Sequence, residues 1–211
     1  LHFDLQLKPY KRLTLQNGVP VYMVDAGTQD VMKIEWVFYA GNYLEEKKAV
    51  AATTNFMLKN GTKNRTAFQI NEDFEFYGAY CNRGCYSETA VVSLHSLTKH
   101  LPALLPVVQD MLMNSTMPEE ELAIYKQNSI QRLQVNLQKC EYVAEINIHE
   151  MLYGPNHPYG RKLMPEDINA VNVEDLRSFY EQYYLNGQCV IFVAGKLPDN
   201  IETLLNEYFG S

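Results

Sequence analysis

Val31-Met32-Lys33-Ile34-Glu35-Trp36-Val37-Phe38-Tyr39-Ala40-Gly41 is the stretch on which the fold turns. It reads as a long strand, Val31 to Tyr39, ended by Gly41. Its Trp36-Val37-Phe38-Tyr39 block is apolar on both faces, the pattern of a strand in the interior of a sheet. Upstream, Lys11 to Leu15 leads into Asn17-Gly18 and then Val19 to Val24. Asn-Gly between two apolar runs at strand spacing predicts a tight hairpin. Downstream, a helix is predicted from Lys47 to Asn60, closed by Gly61 in the left-handed position that favours glycine. A second, Thr66 to Tyr77, ends at Gly78. Strands follow over Ala79 to Cys85 and Glu88 to Leu97.

The second half is mostly helical. Leu101, Leu104, Leu105, Val108, Met111 and Leu112 form a helical apolar stripe, with Thr98 as the expected cap and Pro106 expected to bend the helix or delay its start. Thr116 and Glu119 have capping-box spacing, and Pro118 is placed just inside the next helix, which carries Leu122, Tyr125, Leu133 and Leu137. Further helices are read over Tyr142 to Leu152 and after Asn172, with core residues Leu176, Phe179 and Tyr183. A buried strand, Cys189 to Ala194, and a helix, Ile201 to Tyr208, complete the chain. Strands, helices, strands, helices, one strand and a helix predict an α+β fold: two layers, a mainly antiparallel sheet with helices packed on one face. No repeat or linker divides residues 1–211, which are read as one domain.

Composition narrows the function. The 211 residues are 46% hydrophobic, enough for a substantial core, and carry a net charge of −7. Nucleic-acid binding wants a basic stripe, and the one local cluster, Lys59, Lys63 and Arg65, is surrounded by acids. No apolar run approaches the roughly 18 residues of a membrane-spanning helix. Leu1 is not an initiator methionine, so the sequence is expected to be a segment of a longer one, and the lack of a leader assigns no compartment. The four cysteines form no paired metal-binding pattern. On one strand, Cys81 and Cys85 lie about 13 Å apart, too far for a disulfide.

Several stretches together resemble the pitrilysin family, which includes insulin-degrading enzyme and the mitochondrial processing peptidases. They are Leu15-Gln16-Asn17-Gly18-Val19, Gly41-Asn42-Tyr43-Leu44-Glu45, Met57-Leu58-Lys59-Asn60-Gly61-Thr62 with Arg65-Thr66, Gly78-Ala79-Tyr80, His157-Pro158-Tyr159-Gly160, Ile168-Asn169-Ala170-Val171 with Asp175-Leu176, and Phe192-Val193-Ala194-Gly195. Each is a common motif alone; their order and spacing over residues 15 to 210 carry the resemblance. It implies the metallohydrolase fold of that family.

The family's chemistry depends on an inverted motif, His-x-x-Glu-His, on the helix before Met-x-x-x-Gly-Thr. Residues i and i+4 share a helical face, so both imidazoles reach one zinc ion while the glutamate activates its water. Counting back from Met57, the matching residues here are Ala52, Asn55 and Phe56. Ala52 and Phe56 have no lone pair for a metal, and the Asn55 amide cannot take a proton near neutral pH. The family's third ligand, a later glutamate, falls near Gln131, a poor zinc ligand. Joint loss of these roles predicts a domain with no catalytic residue and no metal of its own. The best alternative metal pair is Glu145 with His149, one helical turn apart, a spacing more common for exposed helix-face partners.

The resemblance further implies that the chain is the first domain of a two-domain half, its second domain following Ser211. Such a domain forms part of a peptide-enclosing chamber, with zinc only in a catalytic partner half or subunit. The rival readings are a non-proteolytic interaction scaffold of the same fold, and an active hydrolase whose metal has moved.

Overall fold

The computed structural model describes residues 8–211. In chain order the elements are β1 Lys11–Thr14, β2 Pro20–Asp25, β3 Val31–Phe38, α1 Val50–Met57, α2 Ala67–Phe76, β4 Tyr80–Cys85, β5 Ala90–Leu97, α3 Leu101–Met113, α4 Glu119–Asn136, α5 Cys140–Tyr153, α6 Pro165–Ala170, α7 Val173–Tyr180, β6 Cys189–Gly195 and α8 Ile201–Phe209. The strands form one sheet in the order β1-β2-β6-β3-β5-β4. Four of its pairings are antiparallel; β2 and β6 run parallel, with Val21 opposite Ile191.

The α+β reading holds. β3 is the interior strand, flanked by β5 and β6. Because successive strand residues point to opposite faces, Met32, Ile34, Trp36 and Phe38 all lie on the covered face and are buried. The helices supply their cover: Trp36 packs on Phe209 of α8, and Phe38 on Tyr184. Five residues of the α3 stripe, Leu101, Leu104, Leu105, Val108 and Met111, are 0% exposed. Burying a leucine-sized side chain contributes about 1.5–3 kcal/mol, so this helix anchors the helical layer. The opposite face is open, with Lys33 paired to Glu35 and Tyr22 stacked on Phe192.

The hairpin forms as expected around Asn17-Gly18, with Gly18 at φ +91° and two bonds between Leu15 and its turn partners. The Asn17 amide also donates to the carbonyl of Phe209, tying the first turn to the last helix. All four cysteines are free.

Several boundaries differ from expectation. α1 starts at Val50 rather than Lys47, because Ala49 stands at φ +70° and interrupts helical backbone before it. Thr98 does not cap α3; it opens a 3₁₀ turn, Thr98–His100, and its hydroxyl donates to Lys196 O. Pro106 neither delays nor splits α3, since the helix runs through it from Leu101. Pro118 is the residue before α4 rather than its first turn, and no side chain caps that helix. α6 was not expected. Its start is set by Pro165 in the first turn and by Asp167, whose carboxylate accepts the Met164 amide at 2.8 Å. α7 continues into a π turn, Glu181–Leu185.

A buried carboxylate fixes the segment between α1 and α2 to α3. Asp110, 4% exposed, accepts hydrogen bonds from Thr62 Oγ1, Asn64 Nδ2, Arg65 Nη1 and Asn114 Nδ2. Burial pushes its carboxyl up, but these four bonds together outweigh burial and hold it below the usual carboxylate value.

Candidate functional site

The site grows from the turn after β3. Gly41 is needed there for close approach: a Cβ on it would fall 2.4 Å from the backbone of Glu88. The amides of Gly41, Asn42 and Tyr43 bond to Glu88, Tyr86 and Ser87 carbonyls, fixing the turn to the β4–β5 connection. This brings Glu45 under the start of α1. With Ala49, which cannot cap, at the N-cap position, the Glu45 carboxylate accepts the amides of Ala51 (2.9 Å) and Ala49 (3.3 Å). It also accepts Arg161 Nη2 at 3.2 Å, while the same nitrogen donates to the carbonyls of Asn42 and Glu45. Burial pushes the Glu45 carboxyl above its usual value despite these donors.

Arg161 comes from the 154–163 segment, which folds back on itself at Gly160. A Cβ there would meet Gly154 O at 2.2 Å. The turn places His157 and Tyr159 in an aromatic cluster with Tyr43 and Tyr153, ring centroids 5.1–6.3 Å apart. His157 Nδ1 accepts the Tyr159 amide, which leaves its other ring nitrogen as the donor. Tyr159 donates its hydroxyl to Glu88.

Between α1, α4 and this segment lies a cavity of about 270 Å³. Ala52 lines it. Asn55 does not; it is 2% exposed, and its amide makes a long bond, 3.4 Å, to Val91 O of β5. Phe56 is half-buried, packed on Tyr125 of α4 with centroids 4.4 Å apart. The three α1 positions share a helical face but present a methyl group, an occupied amide and a phenyl ring. From α4 the cavity receives Tyr125, Ser129, Arg132, Leu133 and Asn136. Gln131 does not line it, because two residues from Ser129 carry it about 200° around the helix, just past the opposite side, whereas Arg132 falls within about 60° of Ser129. The fold therefore does not bring Gln131 to Ala52; the neighbouring Arg132 stands on the facing side.

Arg83 of β4 was missed by sequence reasoning. Its guanidinium lies 4.5 Å from the Phe56 ring centroid, and Nη1 donates to the Phe56 carbonyl and to Asn60 Oδ1. Burial lowers its pKa. Strand spacing carries the signal that finds it: Cys81, Arg83 and Cys85 fall on the same face, the one turned toward the helices. Zinc does not fit these residues, since the cavity sets two arginines and a lysine against one carboxylate, Glu45, where a divalent cation needs several imidazole, thiolate or carboxylate ligands. Among the described residues no group of three or more His, Cys, Asp or Glu side chains lies close enough to hold a metal. Glu145 and His149 are both exposed on α5. Cys85 and Cys189 are pushed up to about 12 by burial, too high for a reactive thiolate.

The model for insulinase, peptidase family M16, matches residues 21–167, and that for the peptidase M16 inactive domain matches residues 170–211. The uncharacterized zinc protease YmxG of Bacillus subtilis is 26% identical over 95% of this chain and 50% of its own length. The mitochondrial-processing peptidase subunit beta of Bos taurus is 27% identical over 96% of this chain and 42% of its own. The chain thus spans about half the length of these relatives. A crystal structure of a peptidase M16 inactive domain from Pseudomonas fluorescens superimposes with a TM-score of 0.88 at 25% identity, covering 95% of this chain and 50% of that one. No helix of the described residues is long and apolar enough to cross a membrane. A single family model that runs through the turn at Gly41, the helix of Ala52 and the facing helix of Arg132 places this chain in peptidase family M16, the insulinase family.

Proposed function

We propose that this chain is a non-catalytic domain of a pitrilysin-type zinc peptidase, forming part of a peptide-enclosing chamber whose zinc is held by a catalytic half, in the same polypeptide or a separate subunit. The observation that carries the reading is the α1 face: Ala52, Asn55 and Phe56 offer nothing to a metal, and Arg132 on the facing helix repels one. The domain would be the first of a two-domain half. Support for a partner half comes from α4 and α5, which leave Ile124, Val135, Ile148, Met151 and Leu152 more than half exposed. Extended peptide would add by backbone pairing to an edge of the sheet, β4 being the edge strand beside α1.

The test is metal content and cleavage together. Purified without chelator, the chain is expected to hold far less than one zinc and to leave a denatured protein uncut. About one zinc per chain retained through gel filtration, or chelator-sensitive cleavage by the pure chain, would refute the proposal.

A further inference from the structure

We propose that the cavity between α1, α4 and the 154–163 segment binds an oxyanion, a carboxylate or phosphate group carried on an apolar stem. Three cationic side chains line it, Lys48, Arg132 and Arg161, against one carboxylate, Glu45. Glu45 is already committed to two amides of α1 and to Arg161. Arg161 engages its fold partners through Nη2 alone. A guanidinium carries five N–H donors in a fixed fork, and with Nη2 committed to the fold its Nη1 remains as a single donor for an acceptor oxygen. Arg132, on the facing helix, has no carboxylate within ion-pair distance among the described residues. Lys48 gives two protons to Asp167 and to the carbonyl of Lys162, and keeps a third.

A second observation points into the same space. Thr53 lines the cavity, is 1% exposed, and its hydroxyl has no hydrogen-bond partner. Its neighbour Thr54 shows the usual solution, donating to the carbonyl of Val50 at 2.8 Å. A buried hydroxyl left without a partner calls for an explanation, and an acceptor bound in the cavity supplies one. Leu133, Leu163 and the Tyr125 ring form the apolar wall. The volume is slightly below the roughly 300–1,000 Å³ of sites for drug-sized ligands, which suits one acidic side chain, a chain terminus or a phosphate, and not a folded partner. No partner half enters the argument, so the site stands or falls on this chain alone.

The experiment is a calorimetric titration of the chain with three probes: inorganic phosphate, an acetylated tripeptide of alanine and leucine with a free C-terminal carboxylate, and the same peptide as its C-terminal amide. The expected result is saturable binding of the acid about tenfold or more tighter than the amide, the ratio one charge-assisted pair supports. Arg132→Ala is expected to weaken it by a similar factor without moving the melting temperature, since Arg132 holds nothing else. Competition between phosphate and the peptide acid shows a peptide carboxylate to be a ligand. Saturable phosphate binding, lost in Arg132→Ala, without binding of the acid shows a phosphoryl ligand. Equal affinity for acid and amide with no phosphate binding, full affinity in both Arg132→Ala and Thr53→Val, or no binding by any probe overturns the proposal.

Discussion

Asp110 and Glu45 are both carboxylates inside the protein, 4% and 8% exposed, and the fold sets their pKa values in opposite directions. Asp110 meets four side-chain donors at 2.5–3.0 Å, and its carboxyl is held low. Glu45 meets two backbone amides and one guanidinium at 2.9–3.3 Å, and burial wins, raising it. The balance of desolvation against donors decides between them. It also separates two kinds of region. Around Asp110 four donors converge on the carboxylate and the segment is a fastening. Around Glu45 donors are left over, and the region encloses a cavity.

The largest effect that tests this contrast is removal of the fastening. Asp110→Ala strands the Asn64 and Asn114 amides, leaves Thr62 Oγ1 with only a long bond to the Arg65 carbonyl and Arg65 with only Asp73; unfolding in denaturant should show a loss of about 3 kcal/mol or more. Less severe is Gly160→Ala, which forces a methyl group against Gly154 O and should cost about 1–3 kcal/mol while loosening the cavity wall. Restoration of full stability in that variant would show that the 154–163 turn is not under the constraint described.

The finest discrimination is in pH dependence. Asp110 titrates lower in the fold than its ordinary value of 3.8, so its ionisation stabilises the protein above that pH, and the contribution is lost as pH falls through the folded value. Asp110→Asn should therefore show its full deficit at neutral pH and a shrinking one in acid. Glu45 titrates higher in the fold than 4.5; the stability it confers is complete below 4.5 and is lost as pH rises through the folded value. Glu45→Gln should thus gain on the parent as pH rises, with a net change at neutral pH of about 1 kcal/mol or less. Parallel slopes for the two variants would abolish the distinction.

Local signals were legible and non-local ones were not. Asn17-Gly18 announced its hairpin and the α3 stripe its helix, because turn chemistry and 3.6-residue spacing act within a few residues. The start of α1 was misread since its cap, Glu45, acts from outside the helix, across a left-handed Ala49. α6 went unseen although Pro165 and Asp167 carry a start signal, because six residues show too little periodicity. The cavity side of α4 carries Arg132 and not Gln131, a difference of about 100° around the helix that counting along the chain does not resolve. Arg83 escaped because a basic residue on an edge strand reads as surface until the helix that covers it is known.

The parallel pairing of β2 with β6 bears on how the molecule is born. At a synthesis rate of about 5–20 residues per second, about 10–30 s separate the appearance of Val21 from that of its partner Ile191. Until then β2 lacks a neighbour on one side, and so does β3, whose other partner is also β6. Two apolar strand edges stand open until residues 189–195 are made, the condition under which nascent chains pair with one another. The strand that joins the hairpin to the rest of the sheet is the last one made.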